Sequence, residues 1–170
     1  MIDFDWDITP LTRAHKVSDF DCGDEELNRY IRQFADQHGR RGVSRTFVAC
    51  PVADRTRIIG YFTISTASVA AEAAVTDENL PRHPIPVMHL GRFAVAAEFQ
   101  GQGSIGPGML GEVYDIALTL SERVGCYAID VLAKTDRAKR FYERQGFIQL
   151  KDSDLHLWLR LKDIRASKIG

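Results

Sequence analysis

Apolar positions recur along the chain at two spacings, and their alternation predicts one α/β unit. Leu27, Tyr30, Ile31 and Phe34 share one face of a helix. Asp21 or Asp24 offers its N-cap, and the run Asp24, Glu25, Glu26 suits the positive end of the dipole. Gly39 is expected to close that helix. Residues 6–11 form a short strand candidate before it. Residues 46–52 and 58–69, about the polar turn 53–57, read as a hairpin. A loop holding Pro81, Pro84 and Pro86 precedes a strand at 87–95. A long amphipathic helix is predicted over 107–124, with Leu110, Val113, Ala117, Leu120 and Val124 on one face. Residues 126–133 are nearly all apolar, which places that strand inside a sheet. A helix at 136–144 ends at Gly146. Residues 147–151 and 155–161 close the chain as a hairpin about Asp152-Ser153-Asp154.

Composition narrows the class. The 170 residues suit a single domain, here 1–170, and 45% hydrophobic with 26% charged residues is ordinary for a globular protein. No apolar run reaches the ~18 to 20 residues that cross a bilayer. The acidic start is no signal peptide, so the cytoplasm is the expected location and no membrane partner is expected. A net charge of −1 speaks against binding nucleic acid over the whole surface, though not against a local basic groove. Three cysteines without CxxC spacing argue for buried free thiols, and five histidines without HxxxH or HExxH spacing give no metal site.

Two stretches carry candidate chemistry. The first is residues 95–107, between a strand and a long helix. Glycines there let several backbone N–H groups point one way, and the helix start adds free amides and its dipole. Such a turn cradles phosphates, or simply starts a helix. It lacks the Lys-Ser/Thr ending of a P-loop and the acidic residue of a dinucleotide fold. The second is Asp136-Arg137-Ala138-Lys139-Arg140-Phe141-Tyr142-Glu143-Arg144-Gln145-Gly146-Phe147.

The Gln-Gly-x-Gly loop, the Ala-x-x-Phe-Tyr-x-x-x-Gly-Phe segment and the order of elements between them resemble the GCN5-related N-acetyltransferase (GNAT) family. That resemblance implies an α/β fold with a mixed central sheet, splayed middle strands and flanking helices. Phe20-Asp21-Cys22-Gly23, Arg45-Thr46-Phe47-Val48, Gly60-Tyr61-Phe62, Pro84-Ile85-Pro86-Val87 and Leu90-Gly91-Arg92-Phe93-Ala94-Val95 look like the acetyltransferase toxins of bacterial toxin–antitoxin pairs. Those toxins acetylate aminoacyl-tRNA, are usually dimers and pair with a ribbon-helix-helix antitoxin. The resemblance therefore implies acetyl-CoA as donor, aminoacyl-tRNA as acceptor, a homodimer and such an antitoxin.

The site expectations follow. Gln100, Gly101, Gln102, Gly103, Ser104, Ile105 and Gly106 would cradle the cofactor's pyrophosphate, with Ile105 standing where the family has Gly or Ala. A one-residue insertion would give Gly106 that role and turn Met109 and Leu110 to the apolar face. Backbone groups of Phe93, Ala94 and Val95 would hold the pantetheine arm and thioester oxygen. Tyr142 would protonate the departing thiolate; its alternative is a core residue with a surface hydroxyl. No carboxylate or histidine stands out as a general base, and an aminoacyl amine, with a pKa below that of lysine, can do with water or no dedicated base; His89 and Glu98 are the nearest candidates by sequence, or are solvated or structural residues. Arg40, Arg41, Arg45 and Arg92 are candidate contacts to the acceptor. Arg92, inside an apolar strand, needs a buried carboxylate or the substrate as partner. Arg137, Lys139 and Arg140 would meet the adenosine 3′-phosphate or cover the helix. The alternative functions are acetylation of a small amine or a protein N-terminus, and an inactive acetyl-CoA-binding module.

Overall fold

The computed structural model describes residues 2–169; residues 1 and 170 of the expected domain lie outside the described residues. Seven strands, β1 (Trp6–Pro10), β2 (Arg45–Pro51), β3 (Gly60–Val69), β4 (Ile85–Val95), β5 (Ala128–Leu132), β6 (Ile148–Gln149) and β7 (His156–Arg160), form one mixed sheet in the order β1-β2-β3-β4-β5-β7-β6. The helices are α1 (Glu25–Gln33), α2 (Ala35–Arg40), α3 (Ile105–Ser121), α4 (Asp136–Arg144) and α5 (Leu161–Ile169). No helix among the described residues is long and apolar enough to cross a membrane. The chain divides into two compact units, Met1–Ser65 with Gly91–Glu112 and Thr66–Leu90 with Val113–Gly170.

In the first unit β1 and β2 pair antiparallel, as do β2 and β3. Asp24 caps α1, its carboxylate accepting from the amides of Glu26 and Leu27. The apolar face so presented enters a core of Phe20, Tyr30, Ile31, Val48, Cys50 and Tyr61. Phe20 meets Tyr61 edge-on at 5.4 Å, and the Tyr61 hydroxyl donates to the Leu27 carbonyl at 2.7 Å. Gly60 is a matter of space: a Cβ there would lie 2.6 Å from Met109 Sδ and 3.1 Å from the Ala94 carbonyl. Gly39 does not close the first helix as expected. The chain breaks at Phe34, α2 runs through Gly39, and Gly42 at φ +74° takes the left-handed turn.

In the second unit β4 and β5 run parallel, Val87–Leu90 against Ala128–Val131, while β5–β7 and β6–β7 are antiparallel. The interior position expected for the apolar strand is therefore correct. Trp158 is fully buried among Val69, Ile85, Val87, Ala128 and Leu150, and its indole N–H donates to the Val75 carbonyl at 3.2 Å. Thr135 caps α4, and Gly146 at φ +99° follows its end. Three expectations are corrected. Pro86 belongs to β4 rather than to the preceding loop. The last strand stops at Arg160, where α5 begins. The long helix stops at Ser121, which leaves Val124 half exposed.

The thiols are free. Cys22 and Cys50 are buried and Cys126 is partly so. Burial pushes all three thiols up, that of Cys50 to about 11.

Candidate active site

The glycine loop hangs from the end of β4. Gln100 pins it: its side-chain amide donates to the carbonyls of Cys22 at 2.7 Å and Val95 at 2.8 Å. Gln102 donates back to the Glu98 carbonyl at 2.8 Å. Gly101 and Gly103 have φ of +76° and +88°, and an added Cβ would meet nothing within 4 Å at either. Backbone conformation, not space, therefore demands glycine at both. The Gly108 amide bonds the Ser104 carbonyl at 3.0 Å, so α3 opens at Ile105 rather than at Pro107. Gly106 thus lies in the first helical turn, not in the loop. Ile105 is buried, as are Met109 and Leu110. Pro107 still falls in the first turn, where a missing N–H costs nothing. The positive end of the α3 dipole faces out beside a loop of two left-handed glycines, which suits an anionic phosphate.

On β4, Ala94 is buried while Phe93 and Val95 are half-buried. The Ala96 amide donates to the Ile59 carbonyl at 2.9 Å. Arg92 corrects an expectation. In place of the expected buried carboxylate, its guanidinium lies 3.5 Å from the centroid of the Tyr30 ring. The Tyr30 hydroxyl is itself fixed by His38 Nδ1 at 3.0 Å and Ser44 Oγ at 3.1 Å. Arg40 pairs with Asp36 at 3.0 Å, Arg45 donates to the Gly39 carbonyl at 2.9 Å, and Arg41 is exposed. Glu98 is held by Arg57 in an ion pair.

In the second unit Tyr142 stands in the second turn of α4, 7% exposed, against the rings of Phe141 and Phe147, each 5.3 Å away. Burial, with a smaller push from Tyr114, raises its phenol well above the usual value, so the group stays protonated at any physiological pH. Such a phenol can give a proton and cannot serve as a base. Tyr114 on α3 has a buried hydroxyl with no hydrogen-bond partner among the described residues, its phenol pushed up to about 12 by burial. Arg137 and Arg140 are exposed, and Lys139 donates to Gln149 Oε1 at 2.7 Å.

Sequence reasoning missed Asp130, the one ionisable side chain in the apolar stretch of β5. It is buried, and it meets His89 Nδ1 on β4 at 2.9 Å and His156 Nε2 on β7 at 2.8 Å. His156 Nδ1 meets Asp152 at 2.8 Å. Burial works against a charged His156, but the hydrogen bonds to Asp130 and Asp152 outweigh it and raise its pKa above the usual value. A raised folded-state pKa gives stability that is complete below about pH 6.5 and is lost as pH rises through the folded value. The gap in urea midpoint between wild type and His156→Gln is therefore expected to be widest in mild acid and to shrink toward alkaline pH. A gap that widens with pH contradicts the assignment.

The first unit thus holds a glycine loop that suits an anion, and the second unit, by itself, a buried, protonated tyrosine. Residues 43–149 match the family model for the acetyltransferase (GNAT) domain. The chain belongs to this family and is an N-acetyltransferase. It is similar to the tRNA-acetylating toxin of Mycobacterium tuberculosis, 33% identical over 158 residues, 92% of each chain. Among solved structures it is similar to AtaT complexed with acetyl-methionyl-tRNAfMet, at TM-score 0.90 and 26% identity, covering 96% of this chain and 99% of that one. It is also similar to a tyrosine-to-phenylalanine mutant of AtaT bound to the C-terminus of the antitoxin AtaR and acetyl-CoA, at TM-score 0.82 and 25% identity, covering 98% and 99%.

Proposed function

We propose that this chain transfers the acetyl group of acetyl-CoA to the α-amino group of aminoacyl-tRNA and so blocks translation. The observation that carries the reading is the likeness, over nearly the whole length of both chains, to a tRNA-acetylating toxin. The antitoxin and acetyl-CoA held by the AtaT mutant support a toxin paired with an antitoxin and acetyl-CoA as the donor.

Bound acetyl-CoA supplies an activated acetyl group as a thioester. The chain's residues do the rest. Gln100, Gly101, Gln102, Gly103 and Ser104, with the opening turn of α3 at Ile105 and Gly106, hold the pyrophosphate by backbone amides and the helix dipole. Backbone groups of Phe93, Ala94 and Val95 hold the pantetheine arm and polarise the thioester oxygen. Tyr142 gives its proton to the departing sulfur. Arg40, Arg41, Arg45 and Arg92 contact the acceptor's phosphates. The chain acts as one catalytic domain, as a homodimer in the cytoplasm, and its antitoxin is of the ribbon-helix-helix kind.

The test is transfer of label from acetyl-CoA to charged tRNA, with deacylated tRNA as control. Label released by mild base as an N-acetylated amino acid is the expected result. Labelling of polyamines or peptides with none on charged tRNA overturns it. Donor binding has its own signature: acetyl-CoA at ~100 times its Kd is expected to stabilise the fold by about 2.7 kcal/mol. An unchanged melting temperature counts against the donor site.

A further inference from the structure

Residues 4–6 have no part in the reading above, and they grip the glycine loop of the first unit at both shoulders. Trp6 heads β1, an edge strand of the sheet. Backbone pairing fixes this stretch: Trp6 stands opposite Pro51, and the Asp5 carbonyl accepts from the Val52 amide at 2.9 Å. Phe4 and Trp6, on either side of Asp5, reach two places on one short segment. Phe4 meets the ring of Phe99 edge-on, with centroids 5.6 Å apart. Phe99 is the last residue before Gln100, and the Arg57 guanidinium lies 5.4 Å from its centroid. Trp6 reaches Gly108, in the opening turns of α3. A Cβ at Gly108 would lie 2.6 Å from Cη2 of the indole and 2.9 Å from Cζ2, so the indole fills the space a side chain would take. Gly108 is not one of the left-handed glycines, and glycine is a poor helix former. What it supplies is room for the ring.

Gln100 to Ser104 lie between these two contacts. Gly101 and Gly103 face open space among the described residues, so packing does not hold them. Glycine gives up more backbone freedom on ordering than any other residue. A loop of this kind binds an anion well only where its shape is set before the anion arrives. Gln100 and Gln102 tie the loop to its own stem. Phe4 and Trp6 then fix the stem and the start of α3 to one rigid stretch of strand.

We infer that Trp6, seated in the Gly108 notch, and Phe4, against Phe99, are positioning residues for the donor: they hold the glycine loop in the shape that takes the pyrophosphate. This rests on the reading of that loop as the pyrophosphate cradle. Both act through the loop rather than on the reacting atoms.

The experiment is a double-mutant cycle on acetyl-CoA affinity, read by calorimetry. Trp6→Ala is expected to raise the Kd ~10-fold, the factor that applies when the loop holds its binding shape a tenth of the time. Gly108→Ala puts a methyl where the indole sits and is expected to raise the Kd by a similar factor, although alanine favours the helix. In the Trp6→Ala background Gly108→Ala is expected to add nothing, because the methyl then has room. Additive losses overturn the proposal, and so does an unchanged Kd in the single variants. Trp6→Phe, which keeps the strand packed and stops short of Gly108, takes the place of Trp6→Ala in the cycle should alanine unfold the chain. A second ligand separates positioning from a general loosening of the fold. S-acetylpantetheine carries the thioester arm without the pyrophosphate, and its Kd is expected to match that of the wild type in every variant. An equal loss for both ligands makes Trp6 a structural residue and overturns the proposal. A wild type that binds the two ligands equally well shows that the loop takes no pyrophosphate; the cradle reading then fails first, and the brace falls with it.

Discussion

Replacing Tyr142 with phenylalanine is expected to cut acetyl transfer by ~10²- to 10⁴-fold and to leave acetyl-CoA affinity unchanged. The phenol is buried between the Phe141 and Phe147 rings and stays protonated at working pH. Its proton matters only as the C–S bond breaks and negative charge gathers on sulfur. An interaction made only then lowers the barrier without tightening ground-state binding. Phenylalanine keeps the ring, its burial and its contacts, so the melting temperature is expected to hold. Single-turnover transfer and calorimetric titration with acetyl-CoA separate the outcomes. Unchanged turnover makes Tyr142 a packing residue; a collapse of donor affinity makes it a binding residue.

Trp158→Ala is the substitution expected to cost most in stability, about 3–5 kcal/mol. The indole is 0% exposed and fills the centre of the second unit's core. Tyr127 lies against it at 5.3 Å. The truncation removes the largest fully buried side chain of the described residues and strands the Val75 carbonyl without its donor. Domains of this size hold about 5–15 kcal/mol in total, so the variant falls near the edge of folding at growth temperature. Urea unfolding followed by circular dichroism reads the loss as a lower midpoint. Trp158→Phe refills part of the volume and is expected to recover part of it. A midpoint shift worth under about 1 kcal/mol would mean that the core closes over the gap.

Local chemistry was legible in the sequence, and long-range pairing was not. The α4 helix could be read because Asp136 to Arg144 lie between a good cap and a left-handed glycine. The loop before α3 could be read for the same reason, through Gly101 and Gly103. The start of α3 was misjudged because Pro107 marks a first turn but not which residue opens it. The Tyr30 ring over Arg92 was not legible because Tyr30, on α1, announces no affinity for a cation. Asp130 was passed over inside an apolar run. Its partners lie 41 and 26 residues away in sequence, and only the register of β4, β5 and β7 brings them together. The α5 helix follows β7 without a turn residue between them, so the sequence offers no punctuation there.

The buried cysteines turn the protein into its own unfolding clock. A thiol shielded from solvent and held protonated reacts with an alkylating dye only while the chain is open, because the thiolate is the attacking species. Cys22 and Cys50, both buried, sample the first unit, while Cys126, only partly covered, sets the folded-state baseline in the second. Pulse labelling followed by mass spectrometry would therefore time the opening of the first unit in unmodified protein, without a fluorophore or an introduced residue. The same shielding keeps the thiol background low when released coenzyme A is followed with a disulfide reagent. A rise in that background during an assay would signal that the enzyme itself is coming apart.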